Sequence, residues 1–175
     1  MFLDIMISKK NYNAKARKVT SWWGRKFWNE NLVEVQGDGY WFLFNPILDM
    51  RAGKDFDSEL KNTFVNTRGV NIQAGLGKNI TLTTSIYESQ GRFADYYNAY
   101  AVSLKPSGGN PGTIPGVGIA KQFKTDAFDF PMAEANIKFT ANQFFDVQLG
   151  YGRNFIGDGY RSIIQGDATS PYPFI

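Results

Sequence analysis

The chain of 175 residues contains neither histidine nor cysteine. No Ser-His-Asp triad, Cys-His pair, imidazole metal site, disulfide or thiolate cluster can therefore be assembled from it. Serine and aspartate are present, but the base that would activate a serine is missing. Asp55-x-Asp57-x-Glu59 sets carboxylates at alternate positions and suits Ca²⁺ in type, yet it lacks the glycine and the full ligand count of an EF-hand loop. A solvated acidic loop is expected there, with no metal, no cofactor and no catalysis. The chemistry that remains is recognition. Asn71, Gln73, Thr81 and Thr83 offer amides and hydroxyls, accompanied by the charges of Arg68, Glu134 and Lys138. Carbohydrates present many hydroxyls and are held by such donor–acceptor groups, with aromatic faces for stacking. Arg68 has the planar fork that suits an acidic sugar's carboxylate. The structural alternative is that any polar barrel interior needs the same residues.

The elements that must position these groups are strands. From residue 40 onward apolar and polar residues alternate. Phe42, Phe44, Pro46, Leu48, Met50 and Ala52 occupy even positions; Val70, Ile72, Ala74 and Leu76 alternate with Gly69, Asn71, Gln73 and Gly75. Ile80, Leu82 and Ile86 follow, then Ala133, Ala135, Ile137 and Phe139, then Phe145, Val147, Leu149 and Tyr151. Five antiparallel strands with one apolar and one polar face are predicted. Tight turns at 77–78 and 141–143 alternate with long connections at 54–64 and 89–128, and the second of these reads as loop through its Pro/Gly-rich stretch. Short turns at one end and long loops at the other, with strand cores of about 9–12 residues, fit a transmembrane β-barrel. Two aromatic girdles are expected, Tyr40, Trp41, Phe144 and Phe145 below, and Tyr87, Phe130, Tyr151 and Phe155 above. On this reading Ile72 meets lipid and Gln73 the lumen. A soluble lipocalin-like barrel, its core filled by aromatics, is the competing reading.

No apolar run approaches the 18 or so residues of a transmembrane helix; the longest is Tyr40-Trp41-Phe42-Leu43-Phe44. Charge is uneven. Residues 1–28 hold seven basic groups against Asp4 alone, a net +6, whereas the other 12 basic and 15 acidic groups give −3. Between 14 and 32, Val19, Trp22, Trp23, Phe27 and Trp28 interleave with Lys18, Arg25 and Lys26, the pattern of an interfacial amphipathic helix, broken by Gly24. A core helix packed on the barrel end is its alternative. Nucleic acid is not expected, since no binding fold accompanies the basic groups. No secretory signal is visible at Met1-Phe2-Leu3-Asp4. Export would imply numbering after cleavage, or a cropped sequence.

Several strings occur in a familiar order: Phe44-Asn45-Pro46-Ile47-Leu48-Asp49, Asn66-Thr67-Arg68-Gly69, Tyr87-Glu88-Ser89-Gln90 and Gly152-Arg153-Asn154-Phe155-Ile156-Gly157-Asp158-Gly159-Tyr160-Arg161-Ser162. Together they resemble the Wzi-like capsule-assembly outer-membrane β-barrel family, in the branch associated with surface polysaccharide and gliding motility, over roughly residues 22–175. The resemblance implies a multi-pass barrel in the bacterial outer membrane that attaches or exports capsular polysaccharide without catalysis. A structural barrel subunit of a larger envelope complex is the alternative. Expected partners are outer-membrane lipid, surface polysaccharide and other envelope proteins. Residues 1–39 would form a basic aromatic helical segment at the periplasmic mouth, and 40–175 the first strands of the barrel. Arg68, Gln73, Glu88, Gln90, Arg153, Asp158, Tyr160 and Arg161 would be lumenal polysaccharide contacts, although Arg68 or Arg161 paired with Glu88 or Asp158 would equally hold a plug. Gly150, Gly152, Gly157 and Gly159 are read as bends. Five strands cannot close a barrel that needs at least eight, so the stretch is expected to be the N-terminal part of a longer protein, with 170–175 starting a further strand.

Overall fold

A computed structural model describes residues 19–59, 61–104, 112–124, 126–154 and 169–175. The fold is an antiparallel sheet of nine strands. Four of them are long: β2 (Tyr40–Lys54) and β3 (Asn62–Leu76) have 15 residues each, β4 (Ile80–Arg92) has 13 and β7 (Ala127–Thr140) has 14. All four exceed the about 9–11 residues that a tilted strand uses to cross a bilayer. β1 (Val33–Gly37) pairs with β2 at one side. At the other, β8 (Asp146–Gly152) pairs with the lower half of β7, and β9 (Tyr172–Phe174) follows it. The upper end of the same β7 edge carries β6 (Gly118–Phe123), which pairs with β5 (Gly112–Ile114). Among the described residues the sheet is open: it ends at β1 on one side and at β5 and β9 on the other, and β1 pairs with neither.

The lower connections are tight because glycine and asparagine make them so. Gly39 and Gly77 sit at φ +78° and +60°, a region that costs other residues strain, and the Gly77 N–H donates to the Gly39 carbonyl at 2.6 Å. At 141–145 the Asn142 Oδ1 accepts from the Phe144 and Phe145 amides at 2.9 and 3.1 Å, an Asx turn. The upper connections, 55–61, 93–126 and 153–171, are all longer.

The five predicted strands are present in order and the tight and long connections alternate as expected, but three assignments change. Within 14–32 the described helix is only α1, Trp22–Trp28; Val33-Glu34-Val35-Gln36 then alternates as strand β1, so a boundary at 39 cuts the hairpin β1–β2 at Asp38-Gly39. The stretch 89–128 is not simply loop. β4 runs through it to Arg92, helix α2 (Asp95–Ser103) and the hairpin β5–β6 fill it, and β7 begins at Ala127. Apolar packing inside the described chain is concentrated here: Ala101, Ile114, Ala120, Phe128 and Phe130 are buried together, with Phe93, Tyr97 and Val117 packed against them. Asn98 ties the helix down, its amide donating to the Phe93 and Asp126 carbonyls, and the Asp55 carboxylate accepts from the Asp95 N–H at 3.0 Å. Burial pushes the Tyr97 phenol above its ordinary value.

Candidate functional site

The strand register assigns every side chain to one of two faces. One face carries four successive cross-strand rows: Tyr40, Leu76, Ile80 and Phe139; Phe42, Ala74, Leu82 and Ile137; Phe44, Ile72, Thr84 and Ala135; Pro46, Val70, Ile86 and Ala133. Val147, Leu149 and Tyr151 of β8 extend it. Tyr40 and Thr84 carry the two hydroxyls in those four rows, and that of Thr84 donates to the Glu134 carbonyl at 3.1 Å. The belt is about 20 Å high along the strands.

The other face is polar. Asn45, Asn71, Ser85 and Glu134 form one row across β2, β3, β4 and β7; Leu43, Gln73, Thr83 and Asn136 lie below it, Ile47, Gly69, Tyr87 and Met132 directly above, and Asp49, Thr67, Ser89 and Phe130 above those. The groups satisfy one another. Asn71 Nδ2 donates to Ser85 Oγ at 2.8 Å and Gln73 Nε2 to Asn71 Oδ1 at 3.3 Å, while the Thr67 and Ser89 hydroxyls meet at 2.8 Å. Asn45 holds the incoming chain, donating to Asn31 Oδ1 at 2.9 Å and accepting from the Leu32 N–H at 3.1 Å. Helix α1 therefore ends beside the polar face, its aromatics Trp22, Trp23, Phe27 and Trp28 all more than half exposed.

Burial on the two faces is inverted relative to a water-soluble domain. On β4, Ser85 and Ser89 are 8% and 3% exposed, whereas Ile86 between them is 56% exposed. On β7, Met132 is buried and Glu134 half-buried on the polar side, while Ala133, Ile137 and Phe139 are exposed on the apolar side. The α2 and β5–β6 cap packs on the polar face at its upper end, through Phe128 and Phe130. Arg153 fastens it. Its Nε reaches Glu134 Oε1 at 3.2 Å and its Nη1 donates to the Gly116 carbonyl in the β5–β6 turn at 2.9 Å.

These parities place the expected ligand contacts on different sides. Gln73 lies on the polar face and Arg153 beside it, in the tie to the cap. Arg68, Glu88 and Gln90 have the opposite parity: Arg68 aligns with Leu48 and Glu88, and Gln90 with Asn66 and Asp129. They stand on the opposite face of the sheet from Gln73, because a one-residue difference in parity moves a side chain through the sheet. Asp158, Tyr160 and Arg161 lie outside the described residues, as do Phe155, Gly157 and Gly159. Trp41, Tyr87 and Phe130 fall on the polar face and so are not members of an outward girdle. Tyr40 and Tyr151, of the expected girdle residues, lie on the apolar side. Among the described residues no three His, Cys, Asp or Glu groups converge as metal ligands.

One polar-face feature is not apparent from any single strand. Glu34, Gln36, Trp41 and Leu43, with Val35, line a shallow groove of about 240 Å³ between β1 and β2. Trp41 lies across Gly75, where a Cβ would collide with the indole, an aromatic covering a glycine on the next strand. The sequence signal is Asp38-Gly39 after the alternating Val33-Glu34-Val35-Gln36, which marks the hairpin that brings Glu34 and Gln36 beside Trp41. Comparison with known families, with curated proteins and with solved structures returns no match for this chain.

Proposed function

We propose that this sheet is part of the wall of a bacterial outer-membrane β-barrel that holds or guides surface polysaccharide and catalyses no reaction. The observation that carries the membrane reading is the inverted burial. Large apolar side chains cover the outward face in four rows, while on the other Ser85 and Ser89 are buried and Asn71, Gln73 and Glu134 half-buried. In water the outward face would remain an unburied apolar surface; in lipid it is at home. The open edges at β1, β5 and β9 cannot face hydrocarbon with unpaired backbone groups. Closure through further strands is therefore part of the proposal. Long connections at the upper end make that end extracellular.

The polysaccharide reading is supported by the resemblance to Wzi-like barrels and by the chemistry of the polar side. The Trp41 indole, the Glu34 carboxylate and the Gln36 amide share one groove, and an aromatic face beside hydroxyl-binding groups is what a sugar ring needs. A structural subunit of a larger envelope complex is the second reading, favoured by the exposed Trp22, Trp23, Phe27 and Trp28 of α1, aromatics of the kind that anchor protein interfaces. The test compares Trp41→Ala and Glu34→Gln in the full-length protein, scoring surface polysaccharide and barrel abundance together. A several-fold loss of retained polysaccharide at unchanged abundance supports glycan handling. Unchanged polysaccharide at unchanged abundance removes the groove from it and favours the scaffold.

A further inference from the structure

The apolar face changes character at one level. Through the four belt rows its strands carry no charged residue. In the rows above, the same face presents Arg68 and Glu88, then Asp129 and Lys121, then Arg92, with Lys54 at the end of β2. That is four cations against two carboxylates, all on the side of the long connections. Arg68, Lys54 and Lys121 are exposed. None of the three enters an ion pair among the described residues, even though Glu88 is the register partner of Arg68 and Asp129 that of Lys121. Arg92 lies over the Phe64 ring at 5.9 Å. Apolar surface continues among the cations: Leu48, 65% exposed, shares a row with Arg68, and Met50, 69% exposed, stands one row higher.

A basic ledge standing directly on an outward apolar belt fits one kind of partner, a lipid whose acyl chains follow the belt and whose headgroup carries fixed negative charge. We propose that this ledge seats a phosphorylated glycolipid of the outer leaflet, with Arg68 and Lys121 as its phosphate contacts and Leu48, Pro46 and Ile86 against its acyl chains. β3 and β6 are three strand spacings apart, about 14 Å, which suits a headgroup bearing phosphates at two ends of a disaccharide better than a single phosphate. Arginine supplies a bidentate fork and lysine a point charge. Glu88 and Asp129 stand on the two strands between the cations, where they can accept from the sugar's hydroxyls while Arg68 and Lys121 take its phosphates. The proposal rests on the membrane reading above and adds the lipid class and its contacts.

The test uses the full-length protein purified from membranes in mild detergent. It is incubated with a bis-phosphorylated glycolipid or with the same glycolipid after phosphatase treatment, and bound lipid is counted by native mass spectrometry. The unaltered protein is expected to retain the phosphorylated form at least tenfold better than the dephosphorylated one. Arg68→Gln/Lys121→Gln should abolish that preference and Arg68→Lys/Lys121→Arg should keep it. Millimolar inorganic phosphate should not displace the lipid. Equal retention of the two glycolipids, equal retention by the Gln variant, or displacement by phosphate alone overturns the ledge. Heat-modifiable gel mobility of each sample separates the two levels. A membrane-folded protein without the preference loses the ledge alone, whereas a protein recovered water-soluble and without lipid loses the membrane reading and the ledge with it.

Discussion

The upper cap and the belt below it use the same four long strands in opposite ways. In the cap, Phe128 and Phe130 point to the polar side and are covered by Ala101, Ile114 and Ala120 from α2 and β5–β6. In the belt, Ile86, Ile137 and Phe139 point to the other side and remain exposed. The chain supplies its own apolar solvent for the first set. For the second set lipid is the proposed solvent. The difference teaches that apolar content does not locate the inside of this sheet; the side on which polar groups are enclosed does.

Breaking the cap should have the largest effect. Phe128→Ala removes a buried ring from the small core and is expected to cost about 3–5 kcal/mol of cap stability, read as faster proteolysis within 93–126. The belt does not depend on that ring, so heat-modifiable mobility should persist. Loss of both together would mean that cap and wall fold as one unit. Next comes the belt itself. Ile72→Arg should lower folded yield in vesicles by an amount corresponding to about 2–4 kcal/mol, while Gln73→Arg on the enclosed side is tolerated. Equal effects would erase the distinction between the faces.

A smaller change should follow from untying the two regions. Glu134→Gln leaves Arg153 without its carboxylate at a site where both side chains are about four-fifths buried. A cost of about 1–3 kcal/mol is expected, visible as increased cap proteolysis at unchanged folded yield. The smallest effect belongs to the Lys138–Asp146 pair at the lower rim. Its groups are 2.7 Å apart but nearly half exposed, and solvent screens such pairs. Lys138→Ala should leave folded yield and cap protection unchanged, which separates it from the Glu134 substitution.

The long strands were legible because period-two alternation is strong over Val70–Leu76, Ile80–Ile86 and Ala133–Phe139. Their ends were not, since Lys54, Asn62 and Arg92 carry no apolar signal and are strand residues through backbone pairing alone. β1 was hidden by its neighbours: the aromatic basic stretch before it suggests helix, although Asp38-Gly39 announces a hairpin. Helix α2 has no apolar stripe, and its place follows from Ala101 packing in the cap and from the Asn98 ties. The candidate contacts separate for a related reason. Charge type points Arg68 and Glu88 to a polar face, whereas parity with Val70 and Ile86 assigns them to the apolar one. Backbone pleating decides, because no local flexibility turns a strand residue through its own sheet. The same parity carries Trp41 inward to Glu34 and Gln36, a grouping that depends on a hairpin rather than on any one segment.

The facing of β3 is the most direct test of the whole account. These 175 residues hold no cysteine, so single cysteines at 70 to 74 can each carry a nitroxide as the one label in this stretch. In the full-length protein reconstituted into vesicles, the collision rate of each label with oxygen, which concentrates in hydrocarbon, is compared with that of a water-soluble nickel chelate. The account predicts alternation along the strand: labels at Val70, Ile72 and Ala74 favour oxygen, and those at Asn71 and Gln73 do not. Alternation of the opposite phase, or uniform exposure to the chelate at all five positions, would contradict it.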